Sequence, residues 1–205
     1  MGTPRWSPPR LRVPARDGHR SASWLELFYD LAYVVAVAVI AGRLLVDPTV
    51  TGALSFLAYF ALIWWLWVSH TYYADRYDTD DTVYRLLAAG QMLAVVVVAT
   101  SLIPGDPSST RAFALGYGAA RVLLCAMYWR ARRHIPETRR LVSGYLVGFG
   151  SAAVVWLGSA LVPDEYRPAV WAVALCVDLA TPWLMRREQA QAPLDDSHLP
   201  ERFGL

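Results

Sequence analysis

The chain contains no lysine and no asparagine, and only two of its 205 residues are cysteine. Without asparagine there is no N-glycosylation sequon. Without lysine, all nineteen basic residues are arginine, so the arginines alone report where positive charge lies. Cys125 and Cys176 both fall in apolar runs, with no Cys-x-x-Cys or Cys/His spacing, which excludes a disulfide framework and any recognisable metal set. Both read as small apolar core residues. Charge is scarce too, at 18% of residues. What fills the chain instead is apolar: 56% hydrophobic residues and a mean hydropathy of +0.30. An ordinary soluble domain has about 45–50% apolar residues on a list that even counts glycine. Nine tryptophans and eleven tyrosines suit the interfacial aromatic belts of membrane proteins.

The first long apolar run opens with Trp24-Leu25-Glu26-Leu27-Phe28-Tyr29-Asp30-Leu31 and continues to Val46. It can span a bilayer, which takes roughly 20 mostly apolar residues. Five arginines and four prolines precede it in residues 1–23, which read as a disordered basic cytoplasmic arm. A signal peptide is excluded, because its apolar core is about 7–15 residues and lacks acids, whereas this run is longer and holds Glu26 and Asp30. Five further apolar runs follow: about Gly52–Tyr73, Val83–Ile103, Ala112–Trp129, Leu141–Val162 and Pro168–Met185, separated by breakers such as Asp47-Pro48, Pro104-Gly105 and Pro163. The expected fold is therefore all-α: a polytopic transmembrane helical bundle of six spans over residues 24–186, with a polar cytoplasmic tail at 187–205. Arginine crowds the arm, the loops after the second and fourth runs, and the tail, while Arg43, Arg111 and Arg167 alone fall on the other side. Positive residues stay cytoplasmic. This places the chain in a cell's inner (plasma) membrane with both termini on the cytoplasmic side, and makes membrane lipid the partner. Gly144, Gly148 and Ala152, spaced i, i+4, i+8, mark a close helix–helix contact.

Charged groups within hydrocarbon cost at least about 2.5–3.5 kcal/mol each on insertion scales. Those present therefore face protein or water. Glu26 and Asp30 lie one turn apart on one helix face. At 1.5 Å per residue, Asp30, Gln91, Arg121 and Asp178 all fall roughly 9–12 Å from the inner ends of their runs, in one polar layer. Glu26 and His70 lie nearer the inner surface. Two readings of the layer stay open. In one, Arg121 pairs with Asp30 or Asp178 and pins helix register. In the other, three carboxylates against one fixed cation mark a cation or proton path. Enzymatic activity is not expected, since no nucleophile–base pair stands out. Ser69, His70 and Asp75 make a weak constellation resting on sequence proximity. Asp78-Thr79-Asp80-Asp81 begins like a calcium loop, but Val83 replaces the required glycine and Ala89 the required glutamate. Capping of the third run is its expected role. No cofactor, metal or nucleic-acid site is read; the loop arginines near His134 suit anionic lipid better.

The run Glu26-Leu27-Phe28-Tyr29-Asp30-Leu31-Ala32-Tyr33-Val34 resembles the ELFFDLVFV opening of the bacterial low-temperature requirement A family. Further resemblances follow in order. They are Trp67-Val68-Ser69 through Tyr73, Arg76-Tyr77-Asp78-Thr79-Asp80-Asp81, Met92, Tyr117 and Arg121, then Trp171, Asp178 and Pro182. The last is His198-Leu199-Pro200-Glu201-Arg202-Phe203-Gly204-Leu205, similar to the family's HLAERFGL signature. The resemblance covers Trp24 to Leu205 and implies a multi-pass bacterial membrane protein, with no established reaction, substrate or cofactor. In that family the signature leads into a further block of spans. On this reading the chain corresponds to a first half, with a homo-oligomer or a separately encoded C-terminal half as the expected partner.

Overall fold

The structure, a computed structural model, describes residues 6–12, 24–102 and 109–191. The expectations for the rest of the basic arm, and for the tail with His198, Glu201, Arg202 and Gly204, lie outside the described residues. The chain is all-α apart from one two-stranded ladder. Its elements are β1 (Arg10–Leu11), α1 (Trp24–Val46), α2 (Val50–Arg76), β2 (Tyr77–Asp78), α3 (Thr82–Thr100), α4 (Ser109–His134), α5 (Arg139–Ser159), α6 (Arg167–Leu184) and α7 (Arg186–Gln191), with a 3-10 turn at Pro136–Thr138.

The breakers act where the sequence places them. Pro48 disfavours helical geometry at Asp47, so α1 stops. Thr49 then caps α2, its hydroxyl accepting the Gly52 N–H at 3.1 Å. Gly52 permits the tight reversal, because a Cβ there would lie 1.9 Å from the Asp47 carbonyl oxygen. Asp81 caps α3 by accepting the Tyr84 N–H at 2.9 Å. Pro168 opens α6 in its first turn, where its missing N–H costs nothing.

Neighbouring helices run in the order α2–α1–α3–α4–α5–α6, with α4 central. More than half of α4's apolar stretch is buried (56%), against 22% for α1 and for α2. The row of small residues on α5 does meet a partner. A Cβ at Gly144 would strike Met185 Sδ at 2.0 Å, and one at Gly148 would strike Thr181 Oγ1 at 2.1 Å, so α5 and α6 approach closely. One core cluster joins Tyr29, Tyr33, Ile63, Phe113, Tyr117, Trp156 and Trp171. A second, nearer the β1–β2 end, joins Tyr73, Tyr77, Tyr128, Tyr145 and Phe149. Outward faces are apolar: Phe28, Leu31, Val34 and Val35 on α1, Leu54 and Leu57 on α2, Leu86 and Leu93 on α3. Apolar surface on that scale suits lipid.

Three expectations change. Among the described residues, five helices, not six, are long and apolar enough to cross a membrane. The remaining candidate, α6, has 18 residues and carries Arg167, Asp178 and two prolines, so it falls short on composition. Cys176 is exposed and Cys125 only half-buried, so neither is a buried core residue. Part of the basic arm is ordered: Arg10 and Leu11 pair antiparallel with Asp78 and Tyr77, and the Arg12 N–H donates to the Arg76 carbonyl at 3.0 Å. An open backbone edge at β2 accounts for this capture.

Asp81 ties that end together. Besides capping α3, its carboxylate accepts from Arg130 Nη2 of α4 at 2.7 Å and from the Ser7 N–H at 3.1 Å. Burial alone would raise its pKa, but the Tyr84, Arg130 and Ser7 donors outweigh this and hold it below the usual carboxylate value. Because the folded pKa lies below the unfolded one, this stabilisation is complete above about pH 4 and is lost as pH falls through the lowered value. At the opposite end the arginines serve helix C-termini. Arg43 donates to the Leu102 carbonyl, Arg111 to Ala160 at 2.9 Å, and Arg167 to Ser159 at 3.0 Å and Val162 at 2.7 Å. These are carbonyls that a helix end leaves unpaired.

Asp81→Ala is expected to lower stability by about 1–3 kcal/mol, through a lost cap and charged hydrogen bonds. Asp81→Asn keeps a capping oxygen but removes the charge. Thermal unfolding in detergent across the acid range should show a flatter pH dependence for Asp81→Asn than for the parent.

Candidate functional site: a buried arginine–aspartate pair and its polar neighbours

Arg121 lies midway along α4, the most enclosed helix, on the face turned to α5 and α6. Its Nε donates to Asp178 Oδ2 of α6 at 3.0 Å, and both side chains are completely shielded from solvent. The pair is walled by aromatics whose polar tips also bond to it. Arg121 Nη2 donates to the Tyr117 hydroxyl at 3.3 Å, and Trp156 Nε1 lies 3.4 Å from Asp178 Oδ2. Rings of Tyr117 and Phe149 lie 5.4 Å and 5.3 Å from the guanidinium carbon, within cation–π range. Tyr117 in turn donates to the Leu62 carbonyl of α2 at 3.3 Å and stacks on Trp156 at 4.0 Å. Arg121 Nη1 and Asp178 Oδ1 have no protein hydrogen-bond partner among the described residues.

Gln91 of α3 sits beside the same turn of α4. Its Nε2 donates to the Ala120 carbonyl at 3.3 Å, and its Oε1 accepts the Tyr29 hydroxyl of α1 at 2.9 Å. Tyr29 and Tyr33 are linked by their hydroxyls at 3.0 Å. Asp30, next along α1, turns the other way and accepts Trp67 Nε1 of α2 at 2.7 Å. The four residues of the polar layer thus fall at one level of the bundle but divide among three helix contacts. Arg121–Asp178 joins α4 to α6, Gln91–Tyr29 joins α3 to α1, and Asp30–Trp67 joins α1 to α2. Of the two partners open to Arg121, Asp178 is the one that it meets. Glu26 is half-buried in the first turn of α1, where a carboxylate complements the helix N-terminus.

The motif residues have separate roles. Phe28 is exposed on the outer face of α1, while Tyr29 is buried beneath it. Asp78 contributes backbone to β2, and Asp80 pairs on the surface with Arg85 at 2.9 Å. His70 stacks on Tyr29 at 3.7 Å, and the neighbouring Ser69 hydroxyl donates to the Trp65 carbonyl at 2.6 Å. Successive helical residues point about 100° apart, so Ser69 and His70 do not form a catalytic pair. Among the described residues there is no group of three or more His, Cys, Asp or Glu that could hold a metal. Trp156 is the contributor that the sequence reading did not name, and Trp67 and Tyr33 entered it only through the resemblance, not as polar partners. Spacing could have signalled the Tyr29–Tyr33 and Tyr117–Arg121 contacts, which are i, i+4 pairs, but not those of Trp67 and Trp156.

Residues 21–205 match the family described as bacterial low temperature requirement A protein, so the chain belongs to that family. A protein of Rhizobium meliloti (strain 1021), described as uncharacterized, is 28% identical over 193 residues, covering 90% of this chain and 47% of the relative. The chain therefore spans about half the length of that relative. No solved structure matches it.

Removing one partner of a buried ion pair leaves the other charge uncompensated, at about 3–5 kcal/mol in soluble proteins. Arg121→Leu should therefore lower the yield of monodisperse protein in detergent. Adding Asp178→Asn should restore it in part, whereas Asp30→Asn should not, because Asp30 is bonded to Trp67. Equal rescue by both would refute the pairing.

Proposed function

We propose that the chain is a six-span membrane module of the inner membrane, with arm and tail cytoplasmic, whose Arg121–Asp178 pair clamps α4 to α6. The observation that carries this reading is the complete enclosure of both charges, whose sum is zero and whose walls are Tyr117, Trp156 and Phe149. A neutral, sealed pair neither attracts a cation nor offers it a route. It does make the wrong helix register costly, since any slip leaves two charges unpaired in a medium that cannot solvate them. The same contact supports α6 as the sixth span. Asp178, which lowers its apolarity, is turned into the bundle and not toward lipid.

A second reading has its own support. Arg121 Nη1 and Asp178 Oδ1 lack protein partners among the described residues, and the Tyr33–Tyr29–Gln91 chain runs at the same level. Hydroxyls and a carboxylate so arranged suit proton passage.

Proton flux separates the two. Purified protein in liposomes loaded with a pH-sensitive dye should show no flux above protein-free vesicles if the pair is a clamp. Flux that disappears in the folded Arg121→Leu/Asp178→Asn variant would establish the relay instead.

Topology is tested by labelling in a background lacking Cys125 and Cys176. Glu165→Cys, in the exposed α5–α6 connection, should react with an impermeant thiol reagent in intact cells, and Glu137→Cys should not. The reverse pattern would invert the orientation.

A further inference from the structure

Arg76, the last residue of α2, is 5% exposed, and its Nε and Nη1 have no hydrogen-bond partner among the described residues. It lines a cavity of about 390 Å³ that neither Arg121 nor Asp178 lines, though Phe149 borders both. The cavity lies in a gap in the helix order. α2 packs on α1, α6 packs on α5, and α2 does not pack closely on α5 or α6. Trp65 and Tyr72 of α2, Tyr128 of α4, Tyr145 and Phe149 of α5 and Gln189 of α7 all line it.

The chemistry of the lining is one-sided. Among the described residues no lining residue is acidic, and Arg76 is the one charged residue. Trp65 Nε1, a second donor, also has no partner among the described residues. The Tyr145 hydroxyl accepts Gln189 Nε2 at 2.8 Å, which leaves its own proton to donate. Tyr128 and Tyr145 line the same cavity as Arg76. Six of the eleven lining residues are aromatic, so the remaining wall is apolar and broad. A guanidinium shielded from water without a countercharge is costly, and an anion relieves that cost. Arginine matches phosphate and carboxylate oxygens in geometry as well as charge. The volume lies within the roughly 300–1,000 Å³ usual for small-molecule sites.

We propose that this cavity binds an anionic amphiphile, its phosphate or carboxylate head on Arg76 and Trp65 and its apolar part along the aromatic wall between α2 and α5. Arg76 adjoins β2, so the head would sit at the arginine-rich end of the bundle, where basic pockets between helices meet acidic head groups.

The test uses delipidated full-length protein in neutral detergent, titrated by native mass spectrometry with dioctanoyl phosphatidic acid and, separately, dioctanoyl phosphatidylcholine. The acid is expected to bind saturably at one site, at least tenfold more tightly than the zwitterion, and Arg76→Gln should weaken it at least tenfold. Trp65→Phe, which keeps the wall and removes the donor, should weaken it several-fold. Competition by inorganic phosphate at millimolar concentration would make the head alone sufficient and point to a soluble anion. Its failure to compete would point to a membrane lipid. Equal affinity for the two lipids in the unmodified protein overturns the proposal whether or not Arg76→Gln folds, and so does unchanged affinity in a folded Arg76→Gln protein.

Discussion

Most of the bundle answers to one constraint: a guanidinium on its central helix must not be left alone in an apolar interior. Arg121 cannot escape by deprotonation, because a guanidinium keeps its proton in proteins. Its charge therefore requires Asp178 on α6, and that requirement determines how α4, α5 and α6 meet. The glycines of α5 let α6 come close enough, since a Cβ at Gly148 would collide with Thr181 three residues past Asp178. Tyr117, Trp156 and Phe149 then seal the pair from solvent. An aspartate that would disqualify α6 as a lipid-facing span becomes the residue that anchors it.

The rest of the polar interior follows the same economy with neutral donors. Trp67 serves Asp30, Tyr29 serves Gln91, and Tyr117 bridges Arg121 to a carbonyl of α2. Tyrosine and tryptophan suit this task because each pairs a large apolar body with one polar tip. At the bundle ends arginine takes over. Arg43, Arg111 and Arg167 reach helix carbonyls at one end, while Arg130 meets the Asp81 carboxylate at the other. A long stem with a planar head can lie along apolar surface and still reach these groups. Arg76 departs from the pattern, being buried at a helix end with its Nε and Nη1 unbonded among the described residues, and this singles out the cavity between α2 and α5.

Helix positions, the level of the polar residues and the family were legible in the sequence by itself. Breakers at Asp47-Pro48 and Pro163 and caps at Thr49 and Asp81 act within a few residues of chain, so local composition suffices to read them. The row Gly144, Gly148, Ala152 announced a close contact, because the spacing of small residues on one face is a property of a single helix. The depth of Asp30, Gln91, Arg121 and Asp178 follows from counting along each run.

Which partner each group takes was decided by the tertiary structure alone. Arg121 had two carboxylates at its own level, and only the packing of α6 on α5 selects Asp178, while α2 brings Trp67 to Asp30. Linear sequence carries the height of a side chain along its helix but not the azimuth at which neighbouring helices meet. The docking of Arg10 and Leu11 on β2 was hidden for a related reason: a backbone edge pairs without a side-chain signature. The sixth helix shows the same division. Its composition falls short of a lipid-facing span, and only the burial of Asp178 against Arg121 reveals that its polar face is turned inward.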